Sequence, residues 1–331
     1  MDQESEARRP VRTGRYAAID IGTVTCRMLV ADVNERGVLR ELDREYAITN
    51  LGEGVDATGE LKPQAMLRVA DAVSRFRKVL ATFETLKHPR VQTVAIATSA
   101  ARDAKNADEF EALLMERGVS LTVIPGEREA ALSFAGASCD FAGERLIVVD
   151  IGGGSTEVVA GPACGRPVRS HSFNIGCRRV TEKFFAADPP SDDEIEAARA
   201  WIREGMQPFF DELRASGDAF DRLVAVAGTA TTAVAIHKRM AVYDTARVHK
   251  TMVRRDELDA VYEQVRSVPL AKRKKIVGLD PGRAPVIVAG MVILQEVLDL
   301  AGFDAFTVSE SDILHGIILD EAARNDAGEA R

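Results

Sequence analysis

The chain has 331 residues, 46% hydrophobic and 28% charged, with a formal charge of −8 at neutral pH. That is material for two cores of ordinary size or one large one, and too apolar for wholesale disorder. The acidic balance speaks against a protein that coats nucleic acid, and no apolar run approaches the ~18 residues needed to span a membrane. The polar stretch Met1 to Gly14 lacks the apolar segment of a signal peptide and reads as a frayed leader, which points to the cytoplasm. Cys26, Cys139, Cys164 and Cys177 are widely spaced and form no CxxC pair, so reduced and mostly buried thiols are expected, not a disulfide framework or a zinc cluster.

Along the chain, Tyr16 to Asp20 reads as a short strand ending in a carboxylate. Gly22 turns it into a second strand, Cys26 to Val33, whose apolar run Arg27 interrupts. Val38 to Ile48 returns as a third strand. Pro63 opens a long helix whose apolar positions, Met66 to Phe83, recur at helical spacing. Val91 to Ala97 is a strand, Asn106 to Glu116 a helix, Ser120 to Ile124 a strand and Glu127 to Ser138 a helix. Leu146 to Asp150 is then a second strand ending in a carboxylate, followed by three successive glycines and two more strands, Ser155 to Ala160 and Val168 to Asn174. Ser191 and Glu194 form a capping box for a helix that runs past Trp201. Leu223 to Ala227 is a buried strand and Gly228 to Thr232 turns into a helix. Arg254 to Ile276 reads as helical, Arg283 to Leu300 as a long apolar helix, Ala305 to Val308 as the last strand and Asp312 to Ala322 as the last helix.

The second half repeats the first: apolar strand, Asp, glycine turn, hydroxyl, strand. Asp20-Ile21-Gly22-Thr23 and Asp150-Ile151-Gly152-Gly153 are the matching pieces. Each turn places a carboxylate at a strand end beside unobstructed backbone N–H groups that can wrap an anion. Hydroxyls at Thr23, Thr25 and Ser155 add donors to phosphate oxygens, and the carboxylates suit Mg²⁺ or a water held by it. Two facing loops of this kind would clamp one phosphate group. The alternative is two ordinary hairpins, although three successive glycines are costly in chain entropy without a use. The five histidines are scattered without metal-ligand spacing.

Four stretches in this order resemble the exopolyphosphatase and guanosine pentaphosphate phosphatase family, within the actin, sugar-kinase and Hsp70-like superfamily. They are Ala97 to Asn106, Ile124 to Ala130, Val149 to Glu157 and Gly228 to Thr232. The resemblance covers roughly residues 16 to 320. It implies an α/β, two-domain actin-like ATPase (ribonuclease H-like) fold with mixed sheets and an interdomain cleft. One domain would comprise residues 15–130 completed by 305–331, and the other 131–304. It further implies hydrolysis of the terminal phosphoanhydride bond of inorganic polyphosphate with Mg²⁺. Glu129 is then the base, Arg102 a phosphate ligand, and Asp150, Glu157 and Asp20 the acids around metal and water. Gly22, Thr23, Thr25, Gly152, Gly153, Gly154, Ser155, Gly228 and Thr229 would contact phosphate. Arg178, Arg179, Lys250, Lys272, Lys274 and Arg283 could line a channel for successive phosphates, although a cationic run such as Lys272 to Lys275 is more often a solvated helix face. A homodimer is expected by the same resemblance.

The chain departs from the family pattern in two places. Its first loop reads Asp20-Ile21-Gly22-Thr23-Val24-Thr25 where the family has Asp-Ile-Gly-Ser-Asn-Ser, so one polar contact is lost. The segment ending in Arg-Glu-Gly is here Ser311-Asp312-Ile313-Leu314-His315-Gly316. The chain also ends soon after that helix, which points to shorter polyphosphates. The rivals are a guanosine pentaphosphate (pppGpp) phosphohydrolase, a kinase or ATPase with an adenosine pocket near Gly228 to Thr232, and a polyphosphate-binding regulator without turnover.

Overall fold

A computed structural model describes residues 11–324 as two five-strand sheets of the same topology, one of them extended by an extra edge strand. In the first half, β1 (Gly14–Ile21), β2 (Thr25–Val33) and β3 (Leu39–Ile48) form an antiparallel meander. A single turn, α1 (Val55–Thr58), and the long α2 (Pro63–Phe83) lead to β4 (Gln92–Ala97), parallel to β1. Then come the turn α3 (Ser99–Arg102), α4 (Ala107–Glu116) and β5 (Leu121–Val123), parallel to β4. The order is β3-β2-β1-β4-β5. Pro63 occupies the first turn of α2, where its missing N–H costs nothing.

After α5 (Gly126–Ser138) the plan recurs. β6 (Arg145–Ile151), β7 (Thr156–Pro162) and β8 (Arg169–Phe173) make the second meander. The helices α6 (Cys177–Phe184) and α7 (Asp192–Ala215) precede β9 (Arg222–Val226), parallel to β6. The rest follows as α8 (Ala227–His237), the turn α9 (Thr245–Val248), β10 (Met252–Arg254), α10 (Arg255–Arg266), the turn α11 (Leu270–Arg273), α12 (Ile287–Ala301), β11 (Ala305–Val308) and α13 (Ile313–Ala323). The order is β10-β11-β9-β6-β7-β8. The Ser191–Glu194 capping box is formed at the start of α7.

The helices α5 and α13 lie between the sheets. Leu314, Ile317 and Ile318 of α13 pack on Tyr16, Ala18 and Leu29 of the first sheet. Phe134 and Ala137 of α5 pack on Val148, Val159 and Val224 of the second. The two helices cross without room for side chains. A Cβ on Gly136 would meet the Asp312 carbonyl oxygen at 1.9 Å, and one on Gly316 the Leu132 oxygen at 1.9 Å. Larger cores fill the outer faces.

Several expectations are corrected. The last strand does not complete the first domain, because β11 hydrogen-bonds to β9 and takes in the second sheet the place that β5 takes in the first. Only α13 returns to the first sheet. Of the expected leader, residues 1–10 lie outside the described residues, whereas the Arg12 amide donates to Ala322 and Gly14 already pairs in β1. The segment from Arg254 to Ile276 is not one helix: β10 precedes it, and Pro269 separates α10 from α11. The expectation of mostly buried thiols is met by Cys26 and Cys177, whereas Cys139 and Cys164 are exposed.

Candidate active site

The two glycine turns are built alike. In the first hairpin the Gly22 amide donates to the Thr25 carbonyl at 2.9 Å, and in the second the Gly152 amide donates to the Ser155 carbonyl at 2.9 Å. They also touch. A Cβ on Gly153 would lie 2.7 Å from Thr23 Cβ and 2.7 Å from Val24 Cγ2, and one on Gly154 would lie 2.3 Å from Ser99 Oγ. Glycine is therefore required where the loops meet. Val24, in place of the family's amide, is buried at this junction and packs into the core of the second half.

Between the loops lies a polar cavity of about 60 Å³, the size of a small anion. Asp20, Gly22, Thr23 and Thr25 line it from the first hairpin, and Asp150, Gly152, Gly153, Gly154 and Ser155 from the second. Glu129, Arg27, Gly228 and Arg283 complete it. Asp20 and Asp150 thus face one space.

Strand register explains the neighbours. Asp20 stands opposite Arg27 on β2, and Arg27 Nη2 donates to Asp20 at 2.6 Å while its other nitrogen reaches Asp312. Asp150 stands opposite Glu157, and Glu157 opposite Ser172. α5 crosses over this row. Gly126 clears Ser172, with a Cβ there meeting Ser172 Oγ at 2.5 Å. Glu129 projects one turn into the helix, and Ser133 one turn further donates to Asp150 Oδ2 at 2.5 Å. Glu129 accepts from Arg102 Nη1 at 3.1 Å, and the same nitrogen donates to the Ile124 carbonyl at 3.0 Å.

Burial sets the electrostatics. It pushes the Glu129 carboxyl up to about 8 despite the lowering effect of Arg102, and Asp150 adds to the rise. Asp150 is pushed up to about 6, again by burial first, with Ser133 and Arg27 opposing. Glu157, buried beside Glu129 and Asp150, is raised well above its ordinary value. Asp20 is raised by burial against the pull of Arg27. Three of these acids, Asp20, Glu129 and Asp150, border one cavity.

Other predicted residues fall elsewhere. Arg102 does not line the cavity, because its guanidinium is turned onto Glu129. Thr229 is buried where Gly290 of α12 leaves space for it, a Cβ there meeting Thr229 Oγ1 at 2.7 Å. Glu157 is not in the wall and accepts from Ser172 at 2.6 Å. Among the described residues no group of three or more His, Cys, Asp or Glu is arranged to hold a metal ion, so Asp20, Asp150 and Glu157 do not form a closed metal cage.

The expected channel also breaks up. Arg178 and Arg179 line a separate small cavity and are engaged there, Arg179 with Asp56 at 2.6 Å and Asp103 at 2.7 Å, Arg178 with Glu182 and Asn50. Lys250 sits over the Phe141 ring. Lys272 and Lys274 are exposed on the α11 turn, while Arg273 between them is buried against the Val265 and Val268 carbonyls. Arg283 alone of the six lines the anion cavity. It packs on Gly228, whose added Cβ would lie 1.6 Å from Arg283 Nη1, and donates to the Tyr46 hydroxyl.

Arg27, Ser133, Ser172 and Asp312 were not singled out by sequence reasoning. Arg27 had a signal: a charged residue inside an apolar strand, seven positions after an acid across a tight hairpin.

Two halves of matching topology that close glycine hairpins over one polar cavity define an actin-like phosphotransfer fold. The Ppx/GppA phosphatase family model matches residues 29–325, and the chain belongs to that family. It is 40% identical to Exopolyphosphatase 2 of Mycobacterium tuberculosis, over 93% of this chain and 98% of that protein. Its structure is similar to that of the Aquifex aeolicus Ppx/GppA family member, with a TM-score of 0.77, 27% identity, and coverage of 96% of this chain and 100% of the other. It also resembles an exopolyphosphatase from Cytophaga hutchinsonii, with a TM-score of 0.83, 25% identity, and coverage of 93% and 98%.

Proposed function

We propose that this chain hydrolyses the terminal phosphoanhydride bond of inorganic polyphosphate and releases orthophosphate. The observation that carries the reading is the anion-sized cavity between two glycine hairpins with Glu129 in its wall. The end phosphoryl group sits between the loops, its oxygens against backbone N–H groups and the hydroxyls of Thr23, Thr25 and Ser155. Glu129, ionised, takes a proton from the attacking water. The water oxygen bonds to phosphorus, and the P–O bond to the rest of the chain breaks with the electron pair leaving on the bridging oxygen. Arg102 holds Glu129 in place and favours its ionised form. Arg27 and Arg283 offset charge on the entering chain.

Asp20 and Asp150, facing the cavity, would hold Mg²⁺, an ion commonly bound by one or two carboxylates together with substrate phosphates. When bound it supplies neutralisation of phosphoryl charge. Glu157, opposite Asp150 across the second hairpin, is held by Ser172 outside the cavity wall. A cytoplasmic homodimer is part of this reading, as expected from the family resemblance.

A second reading has its own support. The anion cavity adjoins a hollow of about 610 Å³, the two sharing Arg27, Ala227, Gly228 and Arg283. The hollow carries Met240, Leu279 and Pro281 with Tyr46 and Tyr243, and its four acids, Glu45, Asp280, Glu310 and Asp312, outnumber its three arginines. Such a lining suits a nucleoside better than a run of phosphates, which favours pppGpp as a further substrate. The deciding experiment is orthophosphate release from polyphosphates of defined length and from pppGpp, with and without Mg²⁺, by wild type and Glu129→Gln. Release from short polyphosphate that depends on Glu129 supports the first reading, and release from pppGpp alone supports the second. No release from either returns kinase and binding roles to consideration.

A further inference from the structure

We propose that Ser133 is a positioning residue for the hydrolysis, fixing the Asp150 carboxylate against the helix that carries Glu129; this rests on the reading of the site given above. A serine inside a helix ordinarily turns its hydroxyl back to the carbonyl four residues earlier. Ser74 does so in α2, donating to the Ala70 carbonyl at 2.7 Å. Ser133 does not. It is 1% exposed, and its hydroxyl proton goes across to β6, to Asp150 Oδ2 at 2.5 Å.

Three facts give this bond a role. Ser133 does not line the cavity, whereas Asp150 does, so the hydroxyl acts through the acid and not on substrate. One Asp150 oxygen is tied, which sets the carboxylate plane and fixes how the other oxygen is presented. Ser133 also stands one helical turn from Glu129, so a single rigid element, α5, sets the places of both the base and the metal-facing acid. A hydroxyl gripping a carboxylate is a stronger tether than packing alone, because a charge-assisted bond in a dry site has no competing water. Second-layer contacts of this kind orient metal ligands in proteins generally.

The test uses the full-length protein with Ser133→Ala and Ser133→Cys, the latter nearly isosteric with a weaker donor. Four quantities are read: kcat and KM for a short polyphosphate, the affinity for Mn²⁺ by electron paramagnetic resonance without substrate, and Tm. The expected result is a kcat lowered about ten- to a hundredfold in Ser133→Ala, with KM within about twofold. Mn²⁺ binding weakens about tenfold, a typical loss when an outer partner of a ligand is removed, and Ser133→Cys falls between. Wild-type kcat and Mn²⁺ affinity in Ser133→Ala would overturn the proposal, as would a loss confined to KM. If Ser133→Ala does not fold, Ser133→Cys carries the same decision. Because Mn²⁺ binding is read without substrate, a protein that proved inert toward polyphosphate would defeat the functional reading while leaving this one to stand or fall on its own.

Discussion

Replacing Arg102 by Gln separates two roles that its position allows. In the structure the guanidinium is on Glu129, 3.1 Å away, not in the anion cavity. It therefore acts by favouring the ionised base. Glu129 sits at about 8 with Arg102 present, and loss of a cation at this range raises a carboxyl by about 1–3 units. The Arg102 side chain is 22% exposed, so water screens part of the effect and about one unit is the reasonable figure. Base catalysis needs the ionised carboxylate, so kcat/KM climbs with pH up to the pKa and is level above it. The variant's climb ends about one pH unit higher. At pH 7, below both limits, Arg102→Gln is slower by about tenfold more than at pH 10, where the base is ionised in both proteins. The assay is initial-rate orthophosphate release from pH 6 to pH 10. A deficit that is constant across that range and expressed in KM would refute the reasoning and return Arg102 to the substrate.

Glu129→Gln should lower kcat by about 10²–10⁴ and yet stabilise the metal-free protein at alkaline pH. The folded state keeps the Glu129 proton up to about pH 8, while the unfolded chain releases it near 4.5, so folding stability drains away as pH rises between those values. Calorimetry should show Tm above wild type at pH 8.5 and equal to it at pH 4. Gly228→Ala pushes a methyl into Arg283 and should raise KM about ten- to a hundredfold with the circular dichroism unchanged. An unaltered KM would remove Arg283 from substrate binding. Gly316→Ala forces a Cβ onto the Leu132 carbonyl and should cost about 1–3 kcal/mol or more, read as a lower urea midpoint.

The strands that bear the chemistry were legible because they are short apolar runs that end on Asp and break at glycine. Their match across the two halves pointed to two similar turns, and the structure gives both the same closing bond, Gly22–Thr25 and Gly152–Ser155. The repeat held more than was drawn from it. A second copy of the first sheet needs a fifth parallel strand, and β11 is the one available, so the last strand belonged to the second half. α6 escaped notice because it is only eight residues long and half charged, although its apolar positions Cys177, Val180 and Phe184 fall at helical spacing. The cations misled for another reason. Side-chain charge is visible in a sequence, but its partner is not, and Arg178, Arg179 and Arg102 are each occupied by an acid or amide distant in the chain. Ser133 could not be read at all, since nothing local distinguishes it from Ser74.

The contact of Thr23 and Val24 with Gly153 and Gly154 has a bearing on how a long polymer would be consumed. Thr23, Gly153 and Gly154 also border the small cavity of Arg178 and Arg179, while toward Gly228 and Arg283 the anion cavity adjoins the large hollow. A seat entered from that hollow would take the end of a polymer and not its middle. Orthophosphate leaving by the same route would have to pass the shortened strand, so successive cleavages would require the polymer to withdraw between them.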